Sequence, residues 1–213
     1  MPMTPLTALL TLADSRLPTG GHVHSGGVEE AITSGLVTNL ETLRAYLIRR
    51  VRTQGLVAAS LAAAVHAGTL SVAVADRETD ARTPAPAARA ASRAQGRGLA
   101  RLARRVWPDH DWTALGRTPH LAVASGAVGA AAGLSPEQTA LSVVYTTMTG
   151  SATAAQRLLA LDPGDVAALT FALGPLCDDV SSTAAKEPAD LSDPLLDVLS
   201  QRHSERERPL FAS

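Results

Sequence analysis

The strongest constraint in the chain is one long helix signal. Ser135-Pro136-Glu137-Gln138 supplies a capping hydroxyl, a proline at the first helical position, and a glutamine placed to complete a capping box. The helix it opens can run to Leu161, with Gly150 as its only breaker. No segment offers a strand pattern to set beside it. Short β-branched pairs such as Val143-Val144 and Thr146-Thr147 sit within helical surroundings. Leu40, Leu43, Leu47 and Val51 repeat at three and four, with Glu41 and Arg44 off that stripe and Asn39 ready to cap it. Asp162-Pro163-Gly164-Asp165 opens a further helix carrying Val166, Leu169, Leu173 and Leu176, and Asp193-Pro194 opens a last short one. Aromatic residues make up only 3% of the chain, so the core must come from Leu, Val and Ala. Small residues such as Gly126, Gly129 and Ala130 to Ala132 let helices approach closely. These signals predict an all-α, single-domain bundle of roughly nine or ten helices.

The length, 213 residues, fits one domain that buries roughly 70% of its unfolded surface. Nineteen basic and 20 acidic residues give a net charge of −1, which argues against a bulk nucleic-acid binder. Hydrophobic residues at 46% against 18% charged argue against disorder. All basic residues except Lys186 are arginine. One cysteine, Cys177, excludes an intrachain disulfide framework, and its apolar neighbours Leu173, Leu176 and Val180 mark it as core rather than nucleophile. Leu56 to Ala75 lacks charged side chains, but His66, Gly68 and several hydroxyls make two short buried helices the simpler reading than a membrane span. No secretory signal is evident, so the expectation is a soluble, cytoplasmic protein with no membrane contact.

Four segments invite a chemical reading. Leu17 to Glu30 holds four glycines and a proline within ten residues, a pattern that demands special backbone dihedrals or close approach. It contains no lysine and is not a phosphate loop. His22 and His24, two apart, point the same way in an extended strand and offer a metal contact; capping a tight turn is the plainer use. Arg89, Arg93, Arg97 and Arg101, with Arg104 and Arg105, form one basic stripe on a helix. A solvated face paired with Asp76, Glu78 and Asp80 explains it most simply, an acidic partner protein next, and DNA reading least. The charged run from Gln201 to Arg208 ends in Leu210-Phe211, an apolar pair for which a frayed polar tail has no use. It either packs back on its own domain or waits for a partner.

Three of these segments together resemble the urease accessory protein family UreF. Leu17-Pro18-Thr19-Gly20-Gly21 through His24-Ser25 to Gly27-Val28-Glu29 is similar to the family's N-terminal glycine element. Ser92-Arg93, Gln95-Gly96-Arg97 and Leu99, followed by Pro119-His120-Leu121 and Gly126, resemble its central Arg/Gly helix and the element after it. Pro194-Leu195-Leu196-Asp197, His203 with Glu205, and Arg208-Pro209-Leu210-Phe211-Ala212-Ser213 resemble its terminus. The order and separation match across essentially the whole chain, nearest to actinobacterial members. Departures are few. His22 stands where many members carry Phe or Tyr, Ser204 separates His203 from Glu205, and Pro209 interrupts Arg208 and Leu210. The stretch Thr153 to Leu161 keeps the family's Arg-Leu but lacks its Pro and Gly-Gln.

The resemblance implies an all-α protein, often a homodimer, with no catalytic residues, cofactor or metal ligands of its own. It implies a scaffold bridging UreD (UreH in some organisms) and the GTPase UreG for nickel insertion into the urease apoprotein. It divides the chain into a family-like domain, 1–201, and a partner-docking tail, 202–213. His203, Glu205, Arg208, Leu210 and Phe211 become expected contacts for UreD, and Arg93 and Arg97 for the GTPase. Pro18, Gly20, Gly21, His24, Ser25, Gly27 and Glu29 are expected to set the next helix. The competing expectations are a metal-binding protein using His22 and His24, and a helical nucleic-acid-binding regulator using the Arg89 to Arg101 stripe.

Overall fold

The structure, a computed structural model, describes residues 4–19, 24–206 and 210–211. Among these it holds eleven α-helices and no strand. They are α1 (Pro5–Leu12), α2 (Val28–Thr33), α3 (Leu40–Arg50), α4 (Leu56–Ala67), α5 (Val72–Ala81), α6 (Pro86–Val106), α7 (Leu121–Ala131), α8 (Pro136–Leu159), α9 (Pro163–Ala172), α10 (Gly174–Ala184) and α11 (Pro194–Ser204). A π-helical turn, Val51–Gly55, joins α3 to α4 without a break, so these two form one rod. The all-α bundle read from the sequence is therefore the fold.

The caps act where the sequence places them. Ser135 and Gln138 form the capping box of α8, and Asn39 with Thr42 forms that of α3. The structure differs from expectation at two places. The helix opened by Asp162 ends at Ala172 and restarts at Gly174. Pro175 is the cause: it has no N–H to donate, and its ring clashes with the carbonyl four residues back. The long helix α8 stops at Leu159, where Ala160 turns left-handed at φ 51° and Leu161 N–H donates back to Gln156. The apolar run 56–75 is broken at Gly68, as its composition implied, and no helix among the described residues is long and apolar enough to cross a membrane.

Helix α8 is the axis on which α2, α3, α4, α7 and α10 pack. Leu43, Leu47, Val51, Val144 and Met148 are buried at its centre, and Cys177 lies 3.7 Å from the Met148 sulfur. The Cys177 thiol is 2% exposed, and burial pushes its pKa up to about 11, which suits a packing role. A second core, around Leu99, Ala103, Trp112, Val123 and Val128, joins α6 to α7. Alanine-rich helices contribute little area per residue, so close approach must compensate. Gly126 shows this: a Cβ there meets the Ala62 carbonyl and the Val65 side chain of α4. Each buried Leu still contributes roughly 1.5–3 kcal/mol.

Candidate functional site

The site is assembled from the two ends of the chain. Its floor is the short helix α2. Gly26 and Gly27 precede it at φ 62° and 86°, left-handed values that suit glycine, and Gly27 is the N-cap. The Gly26 carbonyl accepts from the Tyr46 hydroxyl at 2.8 Å and from Arg50 Nη1 at 2.7 Å. Ser25 is fully buried, and its carbonyl accepts from Ser151 of α8 at 3.1 Å. Helices α3 and α8 thus fix the turn that aims α2.

The wall is α11. Asp193 caps its start and is clasped by Arg49 through two bonds of 2.6 and 2.8 Å. Leu196, Leu199 and His203 repeat at three and four on the buried face. His203 is 1% exposed and donates from Nε2 to Glu29 at 2.8 Å.

Glu29 is the centre. It is 3% exposed and also accepts the backbone N–H groups of Leu210 and Phe211, at 2.9 and 3.0 Å. Burial pushes its pKa up; the His203 bond and the two backbone bonds outweigh that and hold the carboxyl below its ordinary range. Beside it Glu30 pairs with Arg206 at 3.0 Å. Phe211 packs against the main core while Leu210 stands 78% exposed. One buried carboxylate therefore seats the chain terminus. Its chemistry is recognition of backbone N–H groups.

A second cluster lies at the junction of α5, α6 and α7. His120, fully buried, donates from Nε2 to Asp80 at 2.9 Å and accepts at Nδ1 from the Ser92 hydroxyl at 3.0 Å. Its backbone N–H donates to Asp76. Asp76, Asp80 and His120 bring three candidate metal-ligand atoms within 4.8 Å of one another. Arg93 already fills that place: its guanidinium pairs with Asp80 at 2.6 Å and Asp76 at 3.0 Å, and donates to the Thr118 carbonyl. Burial pushes the pKa of His120 down, although its bond to Asp80 opposes this, and so favours the neutral imidazole. The cluster is a closed staple.

The expected residues divide accordingly. His203, Glu29, Leu210 and Phe211 come together, a union the sequence did not announce because 174 positions separate His203 from Glu29. Glu205 is exposed beside them. Gly20, Gly21, His22 and Arg208 lie outside the described residues. Pro18 and Thr19 lie against Gly98 of α6, and His24 borders a half-open cavity of about 480 Å³ between the helices. Arg97 is exposed, whereas Arg93 turns inward to the staple. Asp76 and Asp80 neutralise the start of the arginine stripe as expected, while Glu78 pairs with Arg82 instead. Sequence reading missed Tyr46, Arg49 and Arg50. Their polar heads off the Leu stripe of α3 were the available signal.

The sequence model of the UreF family matches residues 37–174, well over half of the chain. The chain belongs to the UreF family. It is 89% identical over 211 residues to a urease accessory protein UreF of Mycobacterium sp. (strain JLS), an alignment covering 99% of this chain and all of that one. It is 76% identical to the UreF of Mycolicibacterium vanbaalenii and 72% identical to that of Mycobacterium marinum, each again covering 99% of this chain and all of the relative. The family match spans α3 to α9 and the relatives extend it to both ends, so the Glu29 seat and the terminus lie within the aligned length.

Proposed function

We propose that this UreF-family chain is a non-catalytic scaffold of urease maturation. In this reading it bridges UreD (UreH in some organisms) and the GTPase UreG, so that GTP-dependent nickel insertion into the urease apoprotein can proceed in the cytoplasm. Nickel is cargo of the complex. Full-length similarity to urease accessory proteins supports the role, and one observation carries the docking part of it. The terminus rests on Glu29 by two backbone hydrogen bonds while Leu210 points outward, 78% exposed. An apolar side chain held at the surface by exchangeable bonds suits a segment that docks elsewhere. Helix α11 runs through to Ser204 and Arg206 pairs with Glu30, so the exchange concerns the bonds of Leu210 and Phe211 to Glu29. His203 then positions the seat, while Glu205, Arg208, Leu210 and Phe211 meet UreD. Arg97 faces the GTPase, with Arg93 holding its helix in place. A homodimer would present two such termini.

The test is urease activity and bound nickel in cells expressing the structural urease genes and the other maturation genes, with and without this chain. Apo, inactive urease in its absence is expected. Equal nickel loading in both would end the scaffold reading. Removing residues 207–213 should abolish co-purification with UreD while the helical circular dichroism persists.

A further inference from the structure

The arginine stripe of α6 is two surfaces. The helix carries six arginines and no acidic residue over Pro86–Val106. Its first half is neutralised at home. Arg89 bonds to the carbonyls of Thr83 and Pro84 and approaches Asp80, and Arg93 is held by Asp76, Asp80 and Thr118. Its second half is not. Arg97, Arg101 and Arg105 are exposed and, among the described residues, form no hydrogen bond or ion pair. Spaced by four, they make a ridge about 12 Å long. Arg104 donates only to the Gly116 carbonyl, and this brings the exposed Arg117 on the neighbouring loop alongside. Like charges four apart repel, so the ridge is held in a geometry that an anionic surface would relieve.

We propose that the ridge of Arg97, Arg101 and Arg105, flanked by Arg104 and Arg117, docks an acidic face of a partner protein. The occupant is argued from charge and from what borders the charge. The whole chain carries −1, so the surface outside the ridge is net negative. A long polyanion such as duplex DNA would run off the ridge onto that surface, whereas a protein's carboxylate patch of matching size would not. Apolar residues also border the ridge. Val106 is 50% exposed at its end, and Leu102 beside it lines a small apolar cleft with Ala8, Thr11 and Leu12 of α1. A phosphate backbone leaves these uncovered; a protein face with an apolar margin covers them. The proposal rests on the scaffold reading, which already turns Arg97 toward a partner, and deepens it: the contact extends over Arg101, Arg105 and their flanks, and its occupant is an acidic protein face.

The test compares R97E/R101E/R105E with a control, R44E/R52E/R77E, which reverses three exposed arginines elsewhere and so matches the net charge. The full-length chains are titrated with labelled poly-L-glutamate and with a duplex of about 20 base pairs at low and physiological salt. Poly-L-glutamate binding should weaken at least tenfold in the ridge variant and less than threefold in the control. In cells, the ridge variant should load urease with nickel at least tenfold less than the control. Equal weakening in both variants, tighter binding of the duplex than of poly-L-glutamate, or full nickel loading by the ridge variant would each overturn the proposal. If deleting the whole chain also leaves nickel loading unchanged, the scaffold reading has failed instead, and the poly-L-glutamate comparison alone decides the ridge.

Discussion

Two buried histidines in this molecule each donate to a carboxylate, and the two arrangements differ in what they hold. His120 donates to Asp80 in a corner closed by Ser92, Asp76 and Arg93, all on ordered helices and the loop between them. Every group there is satisfied by α5, α6, the start of α7 and the Thr118 carbonyl on the loop before it. His203 donates to Glu29, whose remaining bonds come from the backbone of Leu210 and Phe211. Backbone N–H groups of a chain terminus can leave together and be replaced by others, while withdrawal of the Arg93 guanidinium takes from Asp76 and Asp80 their nearest charge partner and leaves them only the bonds from His120 and the distant Arg89. The first corner is suited to holding the bundle, and the second to releasing a segment.

The largest expected effect tests the depth of that second corner. Glu29→Ala removes a carboxylate that is 3% exposed and leaves His203 buried without its acceptor, at a cost of about 3 kcal/mol. Asp80→Ala in the first corner also takes the acceptor from buried His120, but should cost less, about 1.5 kcal/mol, because Asp80 is 43% exposed and water screens its ion pairs. Urea denaturation of the two variants measures the difference. An Asp80 cost equal to that of Glu29 would erase the distinction between the corners. Removing residues 207–213 should come next, at about 2 kcal/mol, since it withdraws two hydrogen bonds and the Phe211 contact with the core.

A double-mutant cycle sharpens the comparison further. The truncation and Glu29→Ala break the same bonds, so their costs should fall short of adding, by about 1 kcal/mol. The truncation and Asp80→Ala share no partner and should add. Coupling between the terminus and Asp80 would mean that the two corners are one network, against the contacts seen.

The sequence made the helices legible because their signals are local. Ser135 and Asn39 cap within three residues of themselves, and the Leu40 to Val51 stripe needs no knowledge of what it packs on. The break at Leu173 was also local, but the apolar spacing masked Pro175. The Glu29 seat was legible only in halves. The glycine turn and the terminal Leu-Phe pair each stood out, yet nothing in either reports the other, because the bonds joining them close over more than 170 positions. The arginine stripe reads as one face on a helical wheel. It divides in two only when Asp76 and Asp80 arrive from α5, and a periodicity cannot carry that information.

The smallest expected effect distinguishes the corners by pH. Burial holds the folded pKa of His120 below its ordinary 6.5, so the unfolded chain takes up that proton first as pH falls. The stability tied to neutral His120 is therefore complete above about 6.5 and declines as pH drops toward its folded pKa. His66, also pushed down by burial, adds a contribution of the same sign. The Glu29 carboxyl is likewise depressed, but from an ordinary value of 4.5, so its contribution stays complete until pH falls below that and is then lost. Melting temperature followed from pH 7 to pH 5 should decline gently in the natural chain and less in His120→Gln, whose side chain does not titrate. Glu29→Gln should leave the slope in that window unchanged and flatten it only below about pH 4.5. A Glu29→Gln chain that lost the slope between pH 7 and pH 5 would show that the seat of the terminus, and not the staple, carries the proton sensitivity.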